Sequence, residues 1–254
     1  MRLATWNVNS LNVRLPRVAE WIELHAPDVL CLQETKQADS KFDHGAFAAL
    51  GYESAHHGEG RWNGVAIVSR IGLADVVAGF GTEEDELGAR LISATCGGVR
   101  VISAYVPNGR SLESEHYVAK LRWLGRLRDL LAEMGPDAPV AALGDFNVAP
   151  SDDDVWDVSA LEGMTHVSEP ERAALGELVA VGYEDVFRRF NPAGGVFSWW
   201  DYRDGAFHKG HGMRIDLIYT SPALSARATA AFVDRDARKG VKPSDHAPVV
   251  LDIS

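Results

Sequence analysis

Strand-like apolar runs recur along the whole chain, at Leu3 to Val8, Val29 to Gln33, Gly64 to Ser69, Leu91 to Cys96, Val99 to Tyr105, Val140 to Asp145, Arg214 to Thr220 and Pro248 to Ile253. Short runs of this kind bounded by turn residues predict strands, and many end in a polar or acidic residue. Between them, Val118, Leu121, Leu124, Leu127, Leu130, Leu131 and Met134 repeat at three-to-four spacing after Ser111 and Ser114, which predicts an amphipathic helix. Its opposite face carries Lys120, Arg122, Arg126 and Arg128, read as solvated cations. Gly97-Gly98 between two strand runs signals a tight hairpin, so the sheets are expected to be mixed. No linker or fixed-period repeat divides the chain, and a single compact α/β domain over residues 1–254 is the expectation.

Composition adds bounds. The 46% hydrophobic and 24% charged content is ordinary for a globular protein. No apolar run approaches the roughly 18 residues of a membrane span. Met1 to Asn7 reads directly into a strand without a targeting segment, so a cytoplasmic protein without a membrane partner or a regulatory N-terminal extension is expected. Cys31 and Cys96 sit in apolar runs without metal-type spacing and are expected as reduced core thiols. A net charge of -11 argues against nonspecific coating of nucleic acid. It is compatible with a carboxylate cleft in which a divalent cation reverses the local field and attracts a phosphate. The acidic runs Glu83-Glu84-Asp85-Glu86 and Asp152-Asp153-Asp154 are read as surface features, the second at a helix start.

The candidate chemistry lies at strand ends. Pro243-Ser244-Asp245-His246-Ala247-Pro248 presents a carboxylate and an imidazole on a backbone stiffened from both sides. Read alone, the hexapeptide is equally an Asx-type turn with an exposed histidine. Asn7 and Asn9 are expected on one strand face; Glu34-Thr35-Lys36 and Asp145-Phe146-Asn147 each follow an apolar run. Asp216 stands inside an apolar strand, where a buried carboxylate needs a partner such as His246. Together these residues supply acids for a hard divalent cation, amides for phosphate oxygens and an acid able to hold a charged imidazole. That inventory suits metal-dependent phosphodiester hydrolysis. The chain contains no Walker phosphate loop, Gly-x-Ser-x-Gly elbow or His-Glu-x-x-His helix.

In Trp6-Asn7-Val8-Asn9-Ser10-Leu11, Leu32-Gln33-Glu34-Thr35-Lys36, Asn63-Gly64-Val65-Ala66, Tyr105-Val106-Pro107-Asn108-Gly109, Gly144 to Pro150, Phe197 to Arg203, Arg214-Ile215-Asp216 and Ser244 to Pro248, the chain resembles the endonuclease/exonuclease/phosphatase superfamily. Within it the chain resembles most closely the exonuclease III type of apurinic/apyrimidinic endonucleases, over nearly its whole length. The resemblance implies an α/β four-layered sandwich, two mixed β-sheets packed face to face with helices on the outside. It implies cleavage of duplex DNA 5′ to abasic sites by a monomer, with exonuclease and 3′ end-cleaning activity. Glu34, with Asn9 or Asp245, would hold Mg²⁺ or alternatively Mn²⁺. Asp145, oriented by Asn7 or Asn147, would act as general base, His246 on Asp216 as transition-state donor, Tyr105 and Asn108 at the phosphate. Alternation makes one of Trp199 and Trp200 core; the resemblance implies that Trp199 lines the abasic pocket with Met213 and Ile215. Lys36, Arg61, Arg203, Lys209, Arg214 and the cluster Arg238, Lys239, Lys242 are expected as a local DNA track. His56, His57, His208 and His211 are read as loop histidines, His211 at most a phosphate contact. Two rivals are a phosphoesterase of the same fold acting on a small phosphorylated metabolite or lipid, and a noncatalytic DNA-binding module.

Overall fold

The computed structural model describes residues 1–81 and 87–254, so the run Glu83 to Glu86 lies outside the described residues. The strands are β1 (Arg2–Asn7), β2 (Val29–Gln33), β3 (Glu53–His57), β4 (Val65–Ser69), β5 (Ala74–Ala78), β6 (Leu91–Cys96), β7 (Val99–Tyr105), β8 (Val140–Asp145), β9 (Glu184–Asp185), β10 (Asp216–Thr220), β11 (Ala228–Val233) and β12 (Val249–Ile253). They form two six-stranded sheets, in the orders β11-β12-β1-β2-β4-β3 and β5-β6-β7-β8-β10-β9. Each sheet is mixed: β1 runs parallel to β2 and β7 to β8, while the other pairings are antiparallel. The β6–β7 hairpin turns at Gly97 and Gly98, whose φ values of +55° and +81° suit glycine and little else.

Alternation builds the layers. Leu3, Val29, Cys31, Ile67, Val101, Leu143, Ile218 and Leu251 fill the space between the sheets. Their sequence neighbours Ala4, Leu30, Ala66 and Val250 face outward onto α1 (Leu11–His25) and α2 (His44–Ala49). On the other side, Ile102, Ala142 and Leu217 pack with Leu124, Leu127 and Leu131 of α3 (Glu115–Met134) and Leu175 and Leu178 of α4 (Glu169–Ala180). The result is helix, sheet, sheet, helix, the layered solution for strands that are apolar on both faces. Cys31 and Cys96 are buried free thiols. Among the described residues, no helix is long and apolar enough to cross a membrane.

Sheet edges depart from the sequence reading. β3, β5 and β11 stand outside the predicted strand runs; each is a sheet edge that buries little, and β5 is exposed throughout. β1 ends at Asn7, so Asn9 does not continue its face; it takes a left-handed φ of +43°. Lys120 does not lie on a solvated face. It is fully buried, because its ammonium finds Glu171 on α4. Asp154 is likewise buried rather than at the surface, held by Arg188 and Arg214.

Candidate active site

Where the inter-sheet layer reaches one edge of the sandwich, its inward-facing positions turn polar. The alternation that makes Leu3 and Leu143 core residues carries Asn7 and Asp145 onto the same inner face, and Asp216 stands in register opposite Asp145. Gly144 lets β8 lie close against β7: a Cβ there would stand 1.8 Å from the Ala104 carbonyl oxygen. Beyond the strands, Asn9, Glu34, Lys36 and Asn147 all take left-handed conformations, with φ between +43° and +53°. Such strain persists only where the surroundings enforce it.

Asn7 joins the two halves of the site. Its Nδ2 donates to Glu34 Oε1 at 2.8 Å and to Asp145 Oδ2 at 2.9 Å, while the Asn147 amide N–H donates to Asp145 Oδ1 at 2.9 Å. The stiff 243–248 turn closes over them: Ser244 Oγ donates to the Asn7 carbonyl at 2.7 Å, and Trp6 Nε1 to the His246 carbonyl at 3.1 Å. His246 is buried, its Nδ1 2.8 Å from Asp216 Oδ2 and its Nε2 3.8 Å from Asp145 Oδ2. Asp216 has therefore found the partner its sequence position requires.

Burial opposes charge on both members of this pair, with opposite outcomes. For Asp145, burial and the nearby Asp216 and Glu34 carboxylates outweigh His246 and the Asn7 hydrogen bond, pushing the carboxyl up to about 7. For His246, burial is outweighed by Asp216 and then Asp145, which raise the imidazole to about 10. A charged imidazole thus faces a carboxyl that ionises over the neutral range. Burial, followed by Glu34, pushes the Tyr105 phenol well up, so it stays a proton donor.

Glu34, Asp145 and His246 each offer a ligand atom within 4.8 Å of the others, a spacing that could hold a metal ion. A protonated imidazole is a donor and cannot ligate, which leaves the oxygens. Asp245 adds a carboxylate whose Oδ1 accepts from Asn9 Nδ2 at 3.0 Å. Lys36 Nζ lies 2.8 Å from Glu34 Oε2 and donates to Asn9 Oδ1 at 2.6 Å. The atoms free to bind a metal are carboxylate and amide oxygens of Glu34, Asp145, Asp245 and Asn9, and an all-oxygen set of this kind fits a hard divalent cation.

A cavity of about 820 Å³ opens onto these groups. Trp199, Met213 and Ile215 form an apolar wall along it, and the Trp199 indole donates to Asp245 Oδ2 at 3.1 Å. Trp200 is 1% exposed and packs on Phe207, so of this neighbouring pair it is Trp199 that faces the cavity.

The model of the endonuclease/exonuclease/phosphatase family matches residues 4–246. The chain is 34% identical over 265 residues to exodeoxyribonuclease III of Haemophilus influenzae, covering 98% of each protein. It belongs to that family, as an exonuclease III-type nuclease. An AP endonuclease from Archaeoglobus fulgidus superposes with a TM-score of 0.96 at 37% identity, covering 100% of this chain and 99% of the other. A 3′ phosphatase from Neisseria, bound to a product DNA hairpin, superposes with a TM-score of 0.97 at 38% identity and the same coverage.

In this exonuclease III-type chain most predicted positions converge on the cavity, with Tyr105 and Asn108 on its wall beside Asp145 and Asn147. Arg214 does not line the cavity. It is 1% exposed because Asp154 and Asp185 hold its guanidinium, at 2.6 and 2.7 Å, behind the Met213–Ile215 wall. Lys36 is half-buried against Glu34, whereas Arg61 and Lys209 are exposed and do not line the cavity. Arg203 lines it but is paired with Asp201, and Arg238 is buried over Tyr202 and Phe207 rather than part of a track with Lys239 and Lys242. His56 and His57 stand on β3, not in a loop, and the His56 ring is buried against Phe42 and hydrogen bonds Thr35 Oγ1 at 2.8 Å. His208 lies on a short helix, Ala206–Lys209.

Two features carried no signal in the sequence. His166 lines the cavity, its Nε2 3.1 Å from both Asn147 Oδ1 and Asn108 Nδ2; burial, then Lys120, lowers it to about 4. Beneath it, Lys120 Nζ donates to the Asn147 carbonyl at 2.7 Å and pairs with Glu171, which also accepts from the His166 N–H at 3.0 Å. Breaking a buried pair by removing one partner costs about 3 to 5 kcal/mol, whereas replacing both by apolar residues is often neutral. Lys120→Met should therefore lower the unfolding free energy measured by urea titration by that amount. Lys120→Met/Glu171→Leu should recover stability but not turnover, because the Asn147 carbonyl loses its anchor; full activity in the double variant would refute this positioning role.

Proposed function

We propose that this DNA-repair phosphodiesterase hydrolyses the phosphodiester 5′ to an abasic residue in duplex DNA, leaving a 3′ hydroxyl and a 5′ deoxyribose phosphate. Blocked 3′ ends would be trimmed by the same chemistry. The observation that carries this reading is the pairing of the Asp145 carboxylate with the His246 imidazole, 3.8 Å apart, with Asp216 held 2.8 Å behind the ring, where the cavity opens. The apolar wall beside them suits a sugar without a base, and a bulky base would compete for the same space.

Ionised Asp145, aimed by Asn7 and the Asn147 N–H, takes the proton of the attacking water. His246, kept charged by Asp216, donates from Nε2 to a nonbridging phosphate oxygen as negative charge builds. Asn147 and Asn108 orient the phosphate, and Tyr105 holds its proton toward the phosphate or leaving-group side. Glu34 and Asp245, assisted by Asn9, would hold Mg²⁺, with Mn²⁺ as the alternative. When bound, such a cation supplies Lewis-acid stabilisation of the phosphate and leaving oxygen. Lys36, Arg61 and Lys209 act at most as peripheral contacts to the DNA backbone. Residues 1–254 work as one domain, as a monomer in the cytoplasm.

The rival with a small phosphorylated metabolite as substrate is tested by comparing kcat/KM on an abasic duplex, a 3′-phosphate duplex and an inositol phosphate. The duplexes should be preferred by orders of magnitude. A preference for the inositol phosphate would overturn the proposal.

A further inference from the structure

We propose that Trp156 and His211 form a nucleobase-stacking platform at the rim of the catalytic cavity, which receives the base of the nucleotide next to the abasic residue. This inference rests on the DNA reading above. The two rings are stacked, with centroids 3.8 Å apart and planes 13° apart, and both line the same cavity as Asp145 and His246. His211 is half-buried, whereas Trp156 is 38% exposed, so the imidazole covers part of the indole and leaves the rest to solvent. A large aromatic surface left open inside a substrate cleft gains free energy when a second π-face covers it.

The backbone fixes where that surface stands. Val155 pairs with Met213 in an isolated bridge, and the Trp156 N–H donates to the Gly212 carbonyl at 3.0 Å. Met213 and Val155 pack with Ile215 and Trp199 in the apolar wall proposed for the baseless sugar. The platform therefore stands one residue beyond the wall on the segment Val155-Trp156 and two residues before it on His211-Gly212-Met213. A sugar lodged against the wall leaves the base of its chain neighbour as the nearest flat, apolar surface available. Stacking is tolerant of sequence, because every base has a π-face, so the platform would add affinity without base preference. The bland role is that the ring pair only fastens the segment after β8 to the turn before Met213. That role makes a different prediction, because fastening would matter equally for every DNA.

The test uses Asp145→Asn protein, to allow binding without turnover, and duplexes with one abasic residue flanked on either side in turn by 2-aminopurine. Binding should quench the fluorophore on one side. Trp156→Ala in the same background should abolish that quenching and weaken binding by about 5- to 150-fold, the equivalent of 1 to 3 kcal/mol per stacked base. Trp156→Phe should retain part of both effects. A duplex lacking the neighbouring base should bind both proteins alike. Equal losses on both duplexes, or quenching that survives Trp156→Ala, would overturn the platform while leaving the DNA reading intact. Failure of Asp145→Asn to bind any duplex would overturn both.

Discussion

Asp145→Asn should slow single-turnover cleavage of an abasic duplex by about 10²- to 10⁴-fold, the usual contribution of a positioned general base, while duplex affinity stays within a few-fold. The asparagine keeps the shape of the carboxylate and one acceptor oxygen. It can still satisfy either Asn7 Nδ2 or the Asn147 N–H, though not both as the carboxylate does. The fold loses little, because the buried carboxyl is already partly neutral near pH 7. Nearly unchanged cleavage, measured by quenched-flow sampling, would remove Asp145 from the chemical step.

His246→Asn should cost about 2.7 to 4 kcal/mol in the barrier, or 10² to 10³ in kcat, as does loss of other preorganised donors to a developing oxyanion. Asp216→Asn separates charge from position. The ring keeps a hydrogen-bonding partner at Nδ1 but loses the anion that most strongly opposes its burial, so its pKa falls from about 10. The alkaline limb of the pH–rate profile should then move toward neutrality. Stability should follow the same linkage. A folded-state pKa above the ordinary 6.5 stabilises fully below pH 6.5, and that stabilisation is lost as pH rises through about 10. Melting temperature should fall over that window in the wild-type protein and fall less in Asp216→Asn. Identical alkaline limbs in the two proteins would show that Asp216 does not set the charge on His246.

The central strands were legible because residues such as Leu3 and Ala4, or Leu143 and Ala142, are apolar on both faces of a sheet. β3 and β5 were not, since an edge strand such as Ala74–Ala78 stays exposed and carries no burial pattern. The chemistry was legible where a residue contradicts its surroundings. Asp216 inside an apolar strand required a pairing or hydrogen-bonding partner, and His246 stands 2.8 Å from it. Charges that look ordinary in sequence were misread. Lys120 on a charged helix face, Asp154 in an acidic run and Arg214 before a strand are buried because their partners lie 29 to 60 residues away. His166 stands in a loop without any flanking pattern, and its segment is brought to Asn147 by the packing of α3 against α4 and by the Ala149 N–H, which donates to the His166 carbonyl at 2.8 Å. Local pattern reports burial of apolar faces, while pairing of buried charge is a property of the folded chain.

The paired Asp145 and His246 centre is tested most directly by product analysis on a duplex with one defined abasic residue, under single-turnover conditions with Mg²⁺ and with chelator. Wild-type protein should yield a 3′ hydroxyl and a 5′ deoxyribose phosphate with Mg²⁺ and nothing with chelator, and Asp145→Asn should yield neither product on that timescale. Cleavage on the 3′ side of the abasic residue, or cleavage that persists with chelator, would contradict hydrolysis at this site.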